Sequence, residues 1–331
     1  MTDRKKDHIE LAFRSQMKDA LMDERFYYEP MLSSHPKEDD TSFTFLGKNL
    51  QTPIWVSSMT GGTESAGKIN RNLARACAEF GMGMGLGSCR SLLESDENFS
   101  DFDVRSIIGD DLPLYANLGI CQLEELIQKK KVSKIIRLVG RLRADGLIIH
   151  VNPLQEWLQP EGDRINQSPI ESLEYLLEEV DFPIIVKEVG QGMGPESLRA
   201  LLHLPLQAIE FAAFGGTNFA KIELMRNLDS QTQLFESLTQ IGHSATQMMD
   251  WVNEIVAADD QVKCKEIIIS GGIQNFLDGY YLMEKSNLPA IYGQASVLLN
   301  YAKESYEEVR AYLESQRKGF RLAKSFLRIR K

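Results

Sequence analysis

The feature that most constrains this chain is a pattern that recurs eight times. A short apolar run is followed by glycine or polar punctuation and then by a longer stretch with helical spacing. The runs are IWVSS at 54–58, GMGMGLG at 81–87, LYANL at 114–118, LIIHV at 147–151, IIVKE at 184–188, AIEFA at 208–212, EIIIS at 266–270 and AIYG at 290–293. Between them, apolar residues return every three or four positions over 68–80, 122–142, 170–180, 195–202, 276–285 and 296–313. That is the period of a helix with one buried face. Runs that are apolar on both faces and alternate with helices predict parallel strands covered on each side. Eight such units suit a closed (β/α)8 TIM barrel, with an N-terminal extension and a C-terminal helix. The other fold with this alternation is an open doubly wound sheet. That fold begins on a strand with a Gly-rich turn, whereas here a long leading segment precedes the first run. GMGMGLG holds the poorest strand formers of the eight.

Composition narrows the class of protein. With 43% hydrophobic and 25% charged residues, 24 Gly and 11 Pro, the chain is neither disordered nor low in complexity. No apolar run is long enough to span a membrane, and the start MTDRKKDHIE has no apolar stretch behind its basic residues. The cysteines Cys77, Cys89, Cys121 and Cys264 form no CxxC pair. They read as reduced thiols of a cytoplasmic protein, with no membrane partner. A net charge of −10 argues against nucleic acid as a partner. No Pro- or Ser-rich linker divides the chain, so a single domain over 1–331 is expected, with residues 1–50 as an extension. The basic stretch at 317–331 (RKGFRLAKSFLRIRK) reads as a helix covering the barrel.

In a barrel of this kind the chemistry lies at the C-terminal strand ends, and polar or glycine residues follow all eight runs. Ser270-Gly271-Gly272 and Gly293-Gln294-Ala295 occupy the seventh and eighth loops, each before a helix. Glycines admit an anion to backbone N–H groups and helix N-termini favour its charge, so both turns are expected to bind phosphate. Lys187 ends an apolar run, where an ammonium needs either an anionic partner such as Glu188 or an electron-rich cofactor. Both readings stand at this point. The loop His150-Val151-Asn152-Pro153-Leu154-Gln155-Glu156 gathers imidazole, amide and carboxylate groups. Glu156 suits a hard cation such as Mg2+ that bridges phosphate oxygens. His35, His203 and His243 read as ordinary loop or surface residues, and no zinc site is visible.

Taken together, these residues are similar to type 2 isopentenyl-diphosphate Δ-isomerase. The resemblance is carried by Arg4-Lys5 with His8, MTGGT at 59–63, GLGS-x-R at 85–90, Asn117-Leu118-Gly119, HVNPLQE at 150–156, KEVGQGM at 187–193, GGTNF at 215–219 and Ser270-Gly271-Gly272. It runs through essentially the whole chain in the same order. It implies an FMN-dependent barrel that interconverts isopentenyl and dimethylallyl diphosphate in isoprenoid biosynthesis, with Mg2+ and with NADPH as the flavin reductant. By the resemblance, FMN meets Met59, Thr60, Gly61, Ser88, Asn117, Lys187, Thr217, Gly271, Gly272, Gln294 and Ala295. The substrate diphosphate meets Arg4, Lys5, His8, Ser88, Arg90, His150 and Asn152. Gln155 lies near the reacting carbons as the catalytic residue and Glu156 holds the metal. Residues 1–50 would contribute a substrate-binding arm that orders with substrate, and such proteins often form homo-tetramers or octamers.

The chain also departs from the family pattern. Cys89 stands where glutamine is usual, and the DxSGRGGT stretch reads EFAAFGGT at 210–217, with Ala212 and Phe214 for the serine and arginine. Gln274 stands for the arginine after SGG. An altered pocket for the FMN phosphate is therefore expected. Two rival readings remain open to test: another FMN barrel enzyme such as a 2-hydroxy-acid oxidase, and a non-catalytic protein that keeps part of the phosphate site.

Overall fold

Eight parallel strands close on themselves in chain order. They are β1 (Ile54–Val56), β2 (Gly83–Gly85), β3 (Leu114–Gly119), β4 (Gly146–His150), β5 (Ile184–Lys187), β6 (Ala208–Glu210), β7 (Glu266–Ser270) and β8 (Ala290–Gln294). Closure is made by β8, which pairs with β1 as well as with β7. The computed structural model describes residues 7–8, 11–37, 42–58, 64–227 and 234–330. Every strand falls within one of the eight runs read from the sequence or overlaps it. The strands are buried almost throughout, as a parallel barrel walled by helices requires.

The glycine-rich β2 forms because its neighbours leave no room for side chains. Trp55 is fully buried in the barrel. A Cβ at Gly83 would stand 2.6 Å from its ring, and one at Gly85 would stand 2.5 Å from Ile148 and from Ser58 Oγ. Packing therefore imposes a strand that local propensity disfavours.

Two helical stretches expected to be continuous are divided. The span 122–142 becomes Ile120–Gln128 and Ser133–Arg141, with Lys130 between them at φ 54°, a conformation that ends a helix. The span 296–313 becomes Ser296–Glu304 and Tyr306–Phe326, and Ser305 Oγ caps the second by accepting from Glu308 N at 3.2 Å. Helices Pro153–Leu158, Phe219–Arg226 and Ala245–Ala258 add to the expected set. The last of these begins with a capping box made by Ser244 and Gln247.

The expectation of a helix through 317–331 needs correction. The helix ends at Phe326, and Leu327–Ile329 is a strand paired antiparallel with Phe26–Tyr28. Leu327 and Ile329 are half-buried while Arg328 is exposed, a period-2 alternation that helical periodicity hides. Tyr306–Phe326 does cover the barrel: Phe320 stacks on Tyr292 of β8. At the N-terminal mouth, the hairpin Phe43–Phe45 and Lys48–Leu50 turns through Leu46 and Gly47 at positive φ. It buries Phe45 and Leu50, and Leu46 N donates to both carboxylate oxygens of Glu266 at 3.0 and 3.1 Å. Among the described residues no helix is long and apolar enough to cross a membrane.

Candidate functional site

In-register pairing of parallel strands places Gly119, His150, Lys187 and Glu210 side by side across β3 to β6. This row lies at the C-terminal rim of the barrel. Lys187 is buried, and its Nζ donates to the backbone carbonyl of Glu188 at 2.9 Å. The Glu188 carboxylate instead accepts from the amides of Gly190, Gln191 and Gly192 at 2.6, 2.6 and 2.9 Å. Burial holds this carboxyl above the usual range, against the lowering by those amides and by Lys187. An ion pair between Lys187 and the Glu188 side chain, one of the two sequence readings, is therefore not formed. The ammonium lines a cavity.

His150 is held from below by Asn117. Asn117 Nδ2 donates to the Leu86 carbonyl at 3.0 Å, which leaves Oδ1 as an acceptor facing His150 Nδ1 at 2.8 Å. That bond assigns the imidazole proton to Nδ1 and leaves Nε2 a bare acceptor. Burial, and then the charge of Lys187, lower the His150 pKa to about 3.

The cavity above Lys187 has a volume of about 210 Å³ and is lined by residues following β1, β5, β6, β7 and β8. Among the described residues its only charged lining groups are Lys187 and Glu210. Gly215, Gly216, Gly271 and Gly272 form one wall, three of them at positive φ. At Gly271 a Cβ would stand 2.1 Å from the Ala213 carbonyl oxygen. Three buried polar atoms on this cavity have no partner among the described residues: Ser57 Oγ, Ser58 Oγ and Glu210 Oε2.

The two loops expected to hold phosphate are not equivalent. The helix after β7, Phe276–Lys285, begins with a capping box: Asn275 Oδ1 accepts from Leu277 N and Asp278 N, while Asp278 accepts from Gln274 N and Asn275 N. Its N-terminus is thus satisfied from within and carries a carboxylate. The helix after β8, Ser296–Glu304, has Ala295 as its N-cap and no side-chain cap, and Ala295, Ser296 and Val297 face the cavity. An anion would therefore meet the glycine wall and the second helix.

Beside this cavity stands a denser polar cluster. Asn152 Nδ2 donates to Gln155 Oε1 at 3.1 Å and to Glu156 Oε1 at 3.0 Å, and Glu156 Oε2 accepts from Asp163 N at 2.9 Å. Gln155 Nε2 donates to Glu223 at 3.3 Å, and that buried carboxylate also accepts from Arg226 at 2.9 Å. Arg90 pairs with Asp163 at 2.9 Å, and Gln122 donates to the same carboxylate at 3.0 Å. Asp163 and Glu223 were not anticipated. Glu223 gave no signal because its partner Gln155 is 68 residues away. Asp163, in a Gly-Asp-Arg turn just past HVNPLQE, offered a local one.

Of the expected site residues, Asn152, Gln155, Glu156 and Arg90 form this network or pair into it, and Asn117 and His150 make a separate pair on the neighbouring strand ends. Lys187, Thr217, Gly271, Gly272, Gln294 and Ala295 line the neighbouring cavity. Ser88 is exposed next to Cys89, whose buried thiol is pushed up to about 12 and is inert. His8 is exposed on the N-terminal arm, outside the cavity lining. Arg4, Lys5, Met59, Thr60 and Gly61 lie outside the described residues. At the departures from the family pattern, Ala212 N donates to Ser270 Oγ at 3.0 Å, Phe214 is partly exposed and Gln274 is exposed. Among the described residues no group of three or more His, Cys, Asp or Glu is placed to hold a metal by itself.

Comparison with known proteins agrees with this geometry. No protein-family model matches the chain. Solved structures similar in fold include a mandelate oxidase variant with a monooxide FMN adduct, at TM-score 0.58 and 15% identity over 93% of this chain and 88% of that one. A flavocytochrome b2 variant with benzoylformate gives TM-score 0.62 and 13% identity over 91% and 71%. At such identities they establish the barrel fold alone. Curated relatives in sequence include the isopentenyl-diphosphate delta-isomerases of Rickettsia felis, 34% identical over 94% of this chain and 90% of its relative, and of Rickettsia akari, 33% identical over the same shares. With that identity over nearly its full length, and with the HVNPLQE cluster and glycine wall assembled at one barrel mouth, the chain belongs to the isopentenyl-diphosphate delta-isomerase family.

Proposed function

We propose that this chain interconverts isopentenyl and dimethylallyl diphosphate, using a reduced FMN bound in the cavity beside Lys187 and Glu210. The observation that carries this reading is the placement of two unlike subsites on adjoining strand ends, His150 beside Lys187. A glycine-walled cavity with unsatisfied polar groups adjoins a network centred on Asn152, Gln155 and Glu156. The cavity residues fit a flavin: buried Ser57 Oγ, Ser58 Oγ and Glu210 Oε2 have no partner among the described residues, and the wall beside them is built where a Cβ at Gly271 would clash. Polar groups left so are costly until a ligand satisfies them.

In this reading Lys187, Thr217, Gly271, Gly272, Gln294 and Ala295 hold the flavin, with Asn117 behind His150 and with Ser88, Met59, Thr60 and Gly61 completing the set. Reduced FMN supplies an electron-rich face that stabilises positive charge on a nearby carbon, and an exchangeable proton. The residues of the chain bind, orient and desolvate. Lys187, the one cation of the cavity lining among the described residues, would favour an anionic ligand there. Arg90, His150 and Asn152, with Arg4, Lys5 and His8 of the 1–50 arm, gather the diphosphate. Gln155, braced by Asn152 and Glu223, positions the alkene end. Glu156 keeps lone pairs free beyond its two bonds, which suits Mg2+ held by one carboxylate and by substrate phosphates. NADPH as reductant and a tetrameric or octameric assembly follow from the family resemblance.

The purified chain is expected to take up FMN and, once reduced, to isomerise isopentenyl diphosphate anaerobically with added Mg2+. Isomerisation by flavin-free protein, or none by the reduced holoprotein, overturns the reading. Bleaching of the flavin by a 2-hydroxy acid would show an oxidase instead. A chain that ignores FMN altogether would be a binding protein.

A further inference from the structure

The end of β6 carries a group that the activity as proposed leaves without a task. Glu210 is fully buried at the floor of the cavity. Its Oε1 accepts from Ser270 Oγ at 3.1 Å, and its Oε2 has no partner among the described residues. Lys187, its in-register neighbour on β5, donates to the Glu188 carbonyl and forms no ion pair with Glu210 among the described residues. A buried carboxylate oxygen with no donor is among the most costly groups a core can hold, and stability alone gives no reason to keep it. The same cavity has glycines and an open helix N-terminus at one end, and one cation and one carboxylate side by side at the other. A ligand that fills it should present an anionic group to the first end and, at the second, an acceptor to Lys187 and a donor to Glu210.

We infer that Glu210 is a ligand-contacting carboxylate: its Oε2 accepts a hydrogen bond from an N–H or O–H donor of the flavin, and with Lys187 it fixes which way round the ligand sits. This rests on the flavin reading above. An isoalloxazine carries acceptors and an imide N–H on one edge, and its ribityl chain carries hydroxyls, so either part can supply the donor.

The two states of the protein give effects of opposite sign. In apoprotein Glu210 Oε2 has no hydrogen-bond donor among the described residues, so Glu210→Gln, which removes the carboxylate, should raise the melting temperature. In holoprotein the same change removes a charge-assisted acceptor and should weaken flavin binding about tenfold to a hundredfold. Apoprotein titrated with FMN and, separately, with riboflavin, followed by quenching of flavin fluorescence, reads the affinity. A loss shared by both ligands is expected, because the contact is to the ring or ribityl part and not to the phosphate. Glu210→Asp, which keeps the charge but withdraws the oxygen by one methylene, should bind with intermediate affinity. Affinity and flavin spectrum unchanged in Glu210→Gln overturn the inference, as does a fall in apoprotein melting temperature with no change in affinity, the mark of a merely structural carboxylate. No flavin uptake by the wild-type chain overturns the flavin reading and the inference with it.

Discussion

The two halves of the barrel mouth are built on different principles. In the half centred on β3 to β5, reached also by Arg90 after β2 and by Glu223 on the helix after β6, the groups are side chains bonded to one another: Asn117 to His150, Asn152 to Gln155 and Glu156, Gln155 to Glu223 and Asp163 to Arg90. Between β6 and β8 the wall is backbone, four glycines and a helix start, with Lys187 and Glu210 at its edge. The first half is specific because each group is aimed by another. The second is specific because nothing larger than hydrogen fits. A mobile alkene that must be protonated at one atom needs aimed side chains, whereas an anion is held well enough by amides that cannot move. Substitutions should separate the two: changes in the networked half should act on turnover, and changes in the glycine half on folding and flavin affinity.

The largest effect is expected where the glycine wall is tightest. Gly271 sits at φ +88° with its Cβ position 2.1 Å from the Ala213 carbonyl, and neither φ nor the carbonyl can give way cheaply. Gly271→Ala should cost about 3–4 kcal/mol of stability, read as a lower denaturation midpoint in apoprotein. A cost under about 1 kcal/mol would show that this wall yields. Across the mouth, Gln155→Ala should leave the fold and flavin affinity intact and lower kcat about a hundredfold. Full turnover in this variant would remove Gln155 from the reaction.

A smaller effect tests the departure from the family pattern. Phe214 and Gln274 stand where cations are usual, and among the described residues no cation other than Lys187 lines the cavity. Backbone dipoles alone should then hold the flavin phosphate. Phe214→Arg should tighten FMN about fivefold to tenfold, since the position is part-exposed and screened, and leave riboflavin unchanged. Equal tightening of both ligands would place the new guanidinium elsewhere.

These contrasts also show what could be read from the chain. The eight strands were legible because a barrel strand is apolar on both faces and needs no partner to declare itself. GMGMGLG was legible only as a pattern: that Gly83 and Gly85 make room for Trp55 and Ile148 is a fact of packing. Helix breaks at Lys130 and Ser305 were not read, since apolar spacing runs on through a single capping residue. The strand Leu327–Ile329 was hidden because its partner, Phe26–Tyr28, lies at the other end of the chain. In the site, residues of HVNPLQE and SGG were legible by local chemistry. Glu223 was not, because a contact made by folding leaves no trace in local spacing. Reading both SGG and GQA as phosphate turns missed that Asn275 and Asp278 close the first helix.

The smallest effect concerns protons on the networked side. The Asn117 bond gives His150 its proton on Nδ1, and burial with Lys187 keeps its pKa near 3, so in the proposed reading Nε2 would meet a diphosphate as an acceptor facing acceptors. Binding the anion there requires the imidazole to gain a proton. The unfolded imidazole, with an ordinary pKa near 6.5, binds more protons than the folded one between about pH 3 and 6.5. The contribution of His150 to stability is therefore present above that window and is lost as pH falls through it. Diphosphate should narrow the loss by raising the folded pKa. Calorimetry of diphosphate binding in buffers of different ionisation enthalpy should show uptake of up to about one proton near neutral pH. His150→Asn should abolish the uptake and leave FMN affinity unchanged. Uptake that persists in His150→Asn would assign the proton to the N-terminal arm or to the diphosphate itself. The imidazole would then be a neutral spacer, and the networked half would bind its anion as the glycine half does, without changing charge.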